Sequence, residues 1–303
     1  MRTVFVASLA LAWMGCSRGG SDGSDAAVAD AGSSVTDGAT LTSDAGQLPD
    51  LQPPASPSWD WQIGATSEAD IQVPAGVNLM DVDGFAVSAA TIQSYRAQGI
   101  YTVCYINAGS YQPGLPDSAD YPESLNLQAD PDWPGEYFLD VTDVFKPGSV
   151  LASILGKRLD MCKAKGFDAL EPDNLQNDEN IMSGQITTQA QLDFNGWIAN
   201  LAHEKGLAVL QKNGPDKILQ TTTAGVRMVD AFDGILDEEC QKFSECDALS
   251  EYSKRGKIAL DVEYAQSLTL DCAAMVSRGI VALKKDLLLV GKAQAGYVRQ
   301  TCN

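Results

Sequence analysis

The chain has 303 residues, with 40 acidic side chains, 21 basic side chains and a single histidine. A protein this acidic is a poor binder of nucleic acid, because contact with phosphates requires a basic surface. One histidine and the absence of a CxxC pair among the seven cysteines argue against a zinc site, and no metal or other cofactor is expected.

The first 16 residues, MRTVFVASLALAWMGC, have the pattern of an export signal. Arg2 precedes an apolar run too short to cross a bilayer, and Gly15 stands directly before Cys16. This arrangement resembles a bacterial lipobox and predicts cleavage before Cys16 with lipid on its sulfur. An ordinary signal peptide cut elsewhere is the alternative. The protein is therefore expected to be exported, either to the bacterial cell envelope as a lipoprotein or into the medium.

Residues 17–56 contain six aspartates and one arginine but no aromatic residue. Such a segment buries too little apolar surface to offset its ordering entropy, so a disordered linker is expected. Residues 57–303 have the size of one large domain, as α/β barrels often do. Without the linker's six aspartates, Arg2 and Arg18, this domain holds 34 acids and 19 bases. A net charge of −15 would attract a cationic ligand, although acidity also keeps secreted proteins soluble.

Along the domain, short apolar runs alternate with amphipathic stretches, which is the pattern of a parallel sheet wrapped by helices. The predicted helices, at 88–99, 147–166, 188–206 and 270–279, each end in a glycine just before a strand, as expected for a helix C-cap. The nine predicted strands are, in chain order, DWQI, VNLMDV, YTVCYIN, EYFLDV, FDALEP, LAVLQKN, FDGILDEE, KIALDVEY and GIVALKK.

Nine candidate strands compete for the eight places of a (β/α)8 TIM-type barrel, so one of them is expected to lie outside it. An open doubly wound sheet is the alternative fold. It is disfavoured because no GxGxxG motif opens a helix. The predicted architecture is therefore a single barrel domain.

Polar side chains collect at the carboxyl ends of the predicted strands. In a barrel these ends point to one rim, and that rim carries the active site. Two acids at such a rim suit glycosidic hydrolysis, in which one protonates the leaving oxygen while the other attacks or activates water. The residues expected at the rim are Asp81, Asp83, Tyr105, Asp140, Asp173, Asn174, Lys212, Asn213, Glu238, Glu263 and Tyr264.

Asp173 and Glu238 are the predicted catalytic pair, and the other rim residues are expected to bind substrate. Pro172 fixes the turn before Asp173, although an aspartate in an Asx-turn is the alternative. Glu238 is preferred to Glu239, because successive side chains of a strand point to opposite faces. Lys212 offers a rival chemistry, a Schiff base of the kind that barrel aldolases form, but pairing with a rim carboxylate is more ordinary.

Six cysteines remain apart from Cys16, and an even number in an exported protein permits three disulfides. A short loop closed by two of them would stiffen the chain just beyond Glu238. The predicted pairs are Cys240 with Cys246 and Cys272 with Cys302. Cys104 and Cys162 could form the third pair, but either could instead be a buried free thiol.

The segments WDWQIG, CYINAGSYQP, WPGEYFLDV, KRLDMCKAKGFDALEPDN, LAHEKGLAVLQKN, DEECQKFSEC and ALDVEY occur in an order that resembles family 114 glycoside hydrolases, the endo-α-1,4-polygalactosaminidases. The resemblance runs from about Trp59 to the GIVALKKD segment. It implies a (β/α)8 barrel that cleaves galactosamine-containing exopolysaccharide. By residue, it makes Asp173 the nucleophile or base and Glu238 the acid/base.

The resemblance implies a cationic amino-sugar polysaccharide as the partner. Nucleic acid is not expected as a partner, and contact with a membrane is expected only through the lipid on Cys16. A carbohydrate-binding surface lipoprotein without catalytic activity, built on the same barrel, is the alternative function.

Overall fold

The computed structural model describes residues 52–264 and 267–302. The predicted signal peptide, its Cys16 and most of the predicted linker lie outside these ranges. Gln52, which falls in the last part of the predicted linker, donates a hydrogen bond to Asp233 over 3.1 Å. Within the described ranges, no helix combines the length and apolar character needed to cross a membrane.

Eight parallel strands lie side by side and nearly close into a barrel, which confirms the predicted TIM-type fold. They occur in the sheet in the order in which they occur in the chain, whereas a doubly wound sheet would reverse its order part-way. The eight strands are β1 (Trp59–Trp61), β2 (Leu79–Asp83), β3 (Tyr101–Asn107), β7 (Ala169–Asp173), β8 (Ala208–Lys212), β9 (Gly234–Glu238), β10 (Ile258–Glu263) and β11 (Ile280–Lys285).

One of the nine predicted strands was expected to lie outside the barrel, and EYFLDV, the fourth in the chain, is the one that does. It forms the middle strand of a small antiparallel sheet in the connection between β3 and β7. Its neighbours are short strands that the sequence did not indicate. The small sheet consists of β4 (Ser110–Tyr111), β5 (Asn126–Ala129) and β6 (Tyr137–Leu139).

Side chains join the first and last parallel strands across the seam of the barrel. The Trp59 indole donates to the Val281 carbonyl over 3.1 Å, and Lys285 Nζ lies 2.8 Å from a carboxylate oxygen of Asp60. A short final strand, β12 (Arg299–Thr301), runs antiparallel beside β11. From this strand, the Arg299 guanidinium donates to the Trp59 carbonyl, which ties the C-terminus to β1.

The four predicted helices are present, and the glycine at the end of each has a positive φ. Gly166, for example, ends the second helix at φ 94°, a conformation that costs residues with a Cβ considerably more than glycine. Four further helices of four to eight residues were not predicted. The helices are α1 (Ala89–Ala97), α2 (Val150–Lys165), α3 (Asn177–Asn180), α4 (Thr188–Glu204), α5 (Met228–Ala231), α6 (Cys240–Phe243), α7 (Cys246–Ser253) and α8 (Cys272–Arg278).

All six domain cysteines are paired. The two predicted pairs, Cys240–Cys246 and Cys272–Cys302, are present. A third disulfide joins Cys104 of β3 to Cys162 of α2, so the alternative of two buried thiols is wrong. These two cysteines lie on the facing sides of a strand and the helix that covers it.

The interior of the barrel changes from apolar to polar toward the carboxyl ends of the strands. Alternate residues of a strand face the same side, and an apolar layer fills the barrel, including Leu79, Val103, Ala169, Leu210 and Leu236. Moving two residues along each strand from this layer reaches polar side chains instead. They are Asp81, Tyr105, Glu171, Lys212 and Glu238, with Asp173 two residues further along β7.

Candidate active site

Four charged side chains meet at the carboxyl end of the barrel, and we call them the Lys212 cluster. The Lys212 ammonium from β8 lies 2.9 Å from an oxygen of Asp173, 3.2 Å from one of Glu238 and 3.5 Å from one of Glu171. Lys212 is buried, and its ammonium also lies over the Trp61 ring. The two predicted catalytic acids, 65 positions apart in the chain, are thus brought to one cation.

Asp173 is held as a carboxylate. Its second oxygen accepts from the Tyr105 hydroxyl over 3.0 Å, and its first accepts from the backbone N–H of Asn174 over 2.8 Å. Burial acts to raise the pKa of Asp173, but Lys212 and these hydrogen bonds outweigh it and lower the pKa below the ordinary aspartate value. Asp173 can therefore act as a nucleophile or a base at neutral pH.

Glu238 is more open to solvent than Lys212, with 28% of its side chain exposed. One carboxylate oxygen accepts from the Asn213 amide over 2.9 Å, and the other accepts from the Tyr264 hydroxyl. The Asn213 side chain in turn accepts from the Glu238 backbone N–H over 3.0 Å. Glu238 is thus oriented by the two neighbouring strands, β8 and β10, while part of it stays accessible.

Each of the three strands that carry the cluster is followed directly by a residue with left-handed backbone. Asn174 follows Asp173 at φ 62°, Asn213 follows Lys212 at φ 53°, and Glu239 follows Glu238 at φ 62°. Asparagine adopts this conformation more readily than most residues, but for glutamate it is unfavourable. Such strain is typical of functional sites. Glu239 points away from the cluster and its carboxylate pairs with Lys242 at 2.6 Å, which agrees with the choice of Glu238.

Glu171 and Asp81 form a second layer beneath Asp173 and Glu238. Both are fully buried, and the two carboxyl groups lie close enough together to shift each other's pKa. Glu171 also accepts from the Trp61 indole over 3.0 Å. Because Asp81 has no exposed surface, it does not reach a substrate in this structure, and the prediction that it binds one has no geometric support.

Of the remaining rim candidates, Asp83 lies beside the site and two others lie elsewhere. Asp83 is paired in register with Tyr105, and its carboxylate accepts from two backbone N–H groups of the following turn. Asp140 is not at the rim, because its strand belongs to the small sheet. It caps a short 3-10 helix and pairs with Lys146 at 3.0 Å.

The expectation that Glu263 faces the rim is also corrected. It lies on the outer face of β10, where its carboxylate accepts from the backbone N–H groups of Gln241 and Lys242 at the start of α6. The alternation of side chains along the strand explains this result. Tyr264, one position later, points inward to Glu238.

Glu136 is a residue near the site that the sequence did not indicate. It precedes β6, and its carboxylate accepts from the Asn107 amide over 3.3 Å and from the Ser110 hydroxyl over 3.2 Å. Burial raises the pKa of Glu136 to about 7, with Asp130 and Asp173 adding to the shift. The small sheet therefore brings acids of its own to the catalytic side of the barrel.

The geometry opposes the Schiff-base reading of Lys212. Burial acts to lower the pKa of Lys212, but the three surrounding carboxylates outweigh it and raise the pKa well above the ordinary lysine value. A Schiff base requires the neutral amine. The ammonium form instead pairs with Asp173 and Glu238.

Among residues 52–264 and 267–302, one group of side chains has the spacing of metal ligands: the Cys240 sulfur with the carboxylates of Asp261 and Glu263. The sulfur is bonded to Cys246, so it does not offer the thiolate that binds metals. Two of the group's carboxylate oxygens accept from backbone N–H groups at the start of α6. These residues fit a helix cap better than a metal centre.

Comparison with known proteins places this site in a family. The model of glycoside-hydrolase family GH114 matches residues 40–303, while no curated protein sequence matches the chain. The crystal structure of Aspergillus fumigatus Ega3 in complex with galactosamine is similar, with a TM-score of 0.67 and 23% sequence identity over 79% of this chain and 95% of that chain.

The glycoside hydrolase domain of PelA from Pseudomonas aeruginosa is also similar in fold. Its TM-score is 0.57, with 14% identity over 79% of this chain and 98% of that domain. At these identities the structural matches establish the fold alone. The family match covers most of the sequence, including every residue of the Lys212 cluster. The chain therefore belongs to glycoside-hydrolase family GH114 and is a glycoside hydrolase.

Proposed function

We propose that this glycoside hydrolase is an endo-acting enzyme that cleaves α-1,4-linked galactosamine-containing exopolysaccharide. The observation that carries the proposal is the meeting of Asp173 and Glu238 at the Lys212 ammonium, at the carboxyl end of the barrel. The substrate class rests on membership of family GH114 and on the galactosamine bound in the similar Ega3 structure.

In the proposed reaction the two carboxylates have different tasks. Glu238, in its protonated form, donates its proton to the glycosidic oxygen as the bond from the anomeric carbon to that oxygen breaks. Asp173, ionised, either attacks the anomeric carbon or takes a proton from a water that attacks it. In the first case a glycosyl-enzyme forms on Asp173, and water, deprotonated by Glu238, then breaks the new bond and releases the sugar. Tyr264 and Asn213 orient Glu238, and Tyr105 orients Asp173.

The charge of the protein suits a cationic polymer. A deacetylated galactosamine unit carries an ammonium group, and a cleft lined by acids raises the local concentration of such a ligand. Asp130 and Glu136, from the small sheet, lie close enough to Asp173 to affect one another's pKa. These acids would meet sugar units on that side of the cleft.

The protein acts outside the cytoplasm in this proposal, tethered by lipid on Cys16. The three disulfides favour an oxidising compartment. Growth with labelled palmitate and fractionation test the anchor: wild type is expected in the membrane fraction with label, and Cys16→Ser without label. Wild-type protein found in the medium without label would contradict the lipid anchor and indicate a secreted enzyme.

The activity is tested by incubating the domain with galactosamine-containing exopolysaccharide and analysing the products by mass spectrometry. Oligosaccharides of several lengths are expected from an endo-acting enzyme. A protein that retains the polymer but releases no oligosaccharide would instead be the non-catalytic carbohydrate-binding lipoprotein. Borohydride treatment in the presence of a carbonyl substrate is expected to trap no adduct on Lys212.

A further inference from the structure

Asp81 is a buried carboxyl group whose oxygens accept no hydrogen bond from an N–H or O–H group of the described residues. It lies on β2, facing the barrel interior, and has no exposed surface. The carboxyl group of Glu171 lies close enough to raise the pKa of Asp81. Two buried carboxyl groups side by side do not both ionise readily, and a proton on one of them lets the pair form a hydrogen bond.

The surroundings of the two groups decide which of them is protonated. Glu171 accepts from the Trp61 indole over 3.0 Å and lies 3.5 Å from the Lys212 ammonium, and both contacts stabilise its ionised form. Asp81 has neither contact. Burial raises the pKa of Asp81 well above the ordinary value, and Glu171 adds to the shift, while the pKa of Glu171 rises to about 7. The proton therefore belongs on Asp81.

The charge of the whole cluster agrees with this assignment. One ammonium, that of Lys212, faces Asp173, Glu238 and Glu171 directly. A fourth carboxylate without a donor would carry an uncompensated buried charge, which is the costliest arrangement in a protein interior. The titratable groups that face the Asp81–Glu171 pair from the surrounding strands are Lys212, Asp173, Glu238, Tyr105 and Tyr264.

We propose that Asp81 is a positioning residue: it keeps a proton in the resting enzyme and donates a hydrogen bond through it to ionised Glu171, so that Glu171 holds Lys212 between Asp173 and Glu238. This inference rests on the proposed function, because it gives Asp81 a part in preparing the same catalytic pair. Asp81 itself touches neither the substrate nor the reacting atoms.

Two substitutions of similar size test whether Asp81 acts as a hydrogen-bond donor or only through its packing. Asp81→Leu removes the donor to an ionised group, which predicts a loss in kcat of roughly ten- to a hundredfold with little change in KM. Asp81→Asn keeps a neutral donor, so most of that loss is expected to be rescued. Equal losses in both folded variants, or no loss in Asp81→Leu, would overturn the proposal.

A second measurement needs no substrate and therefore does not depend on the proposed function. At about pH 8, above the pKa of Glu171 at about 7, the infrared absorption of protonated carboxyl groups is expected to be weaker in Asp81→Asn than in the wild type. Part of it remains, because burial also raises the pKa of Asp261 well above the ordinary value. Asp168→Asn is the matched control, since Asp168 pairs with Arg96 at 3.1 Å, and it is expected to keep the absorption of the wild type. Identical spectra for wild type and Asp81→Asn would show that Asp81 is ionised and reject the inference.

Discussion

Asp173 and Glu238 share one ammonium group, with carboxylate oxygens 2.9 Å and 3.2 Å from Lys212 Nζ. The two acids lie on strands separated by one other, β8, and β8 supplies the cation between them. The barrel therefore does more than gather acids at a rim. It places a fixed positive charge where two negative groups would otherwise repel each other.

The first prediction concerns the catalytic pair itself. Asp173→Asn and Glu238→Gln each remove a carboxyl function while keeping the size of the side chain. Each is expected to lower kcat by at least about a hundredfold, because positioned proton transfer contributes a factor of that order or more. Release of oligosaccharides measures activity, and circular dichroism verifies that the variants fold. Wild-type turnover in either variant would reject its catalytic role.

The second prediction concerns Lys212 and pH. Lys212 lowers the pKa of Asp173, so Lys212→Met should raise that pKa. Activity that requires ionised Asp173 is lost as pH falls through its pKa, and the acid limb of the kcat/KM profile is therefore expected to move to higher pH in the variant. Tyr105→Phe, which removes a hydrogen bond to the same carboxylate, should move the limb in the same direction by less. An unmoved limb in both variants would contradict the assignment.

The sequence predicted most of this site because parallel strands end at one rim. Asp173, Lys212, Glu238 and Tyr264 follow that rule, and the structure brings them together. Asp140 was misplaced because its strand looks like the others by composition, although it pairs in the small antiparallel sheet. Local pattern does not say which of nine strands leaves the barrel, because pairing is a long-range property.

Glu263 and Glu136 show two further limits of the sequence. In β10 the outer face carries two acids, because Asp261 is fully buried on the same side as Glu263. The polarity of the residues therefore did not show which face of β10 points into the barrel. Glu136 lies before a strand rather than after one, and nothing local links it to the rim. Its position depends on hydrogen bonds to Asn107 and Ser110 across the chain.

The third prediction concerns the disulfides. In the chain-entropy model, removing the Cys104–Cys162 bond, which spans 58 residues, costs roughly 4 kcal/mol, whereas removing Cys240–Cys246, which spans 6, costs roughly 2 kcal/mol. For kcat the opposite order is expected: removing Cys240–Cys246 should lower kcat more than removing Cys104–Cys162, because Cys240 lies two residues after Glu238. Double alanine variants measured by chemical denaturation and kcat test both orders. A larger loss of kcat in the folded Cys104–Cys162 variant would contradict the role of the short loop.

The fourth prediction concerns the attraction of a cationic substrate. Salt shortens the reach of surface charges from about 10 Å at 0.1 M to about 3 Å at 1 M. The KM for partly deacetylated polymer is therefore expected to rise several-fold with ionic strength, while the KM for fully acetylated polymer stays nearly constant. An unchanged KM for the deacetylated polymer would refute steering by the acids of the cleft.

The last prediction concerns the stereochemistry of hydrolysis. Because one ammonium touches both acids, the nearest oxygens of Asp173 and Glu238 are at most about 6 Å apart, a limit that lies below the ~6.5–9.5 Å separation of the carboxyl groups in inverting enzymes. We therefore expect Asp173 to attack directly and the first product to keep the anomeric configuration of the substrate. Proton NMR during the first turnovers distinguishes the two anomers before they interconvert. An inverted first product would assign Asp173 the role of a base that activates water, and would require the carboxylates to move apart when the sugar binds.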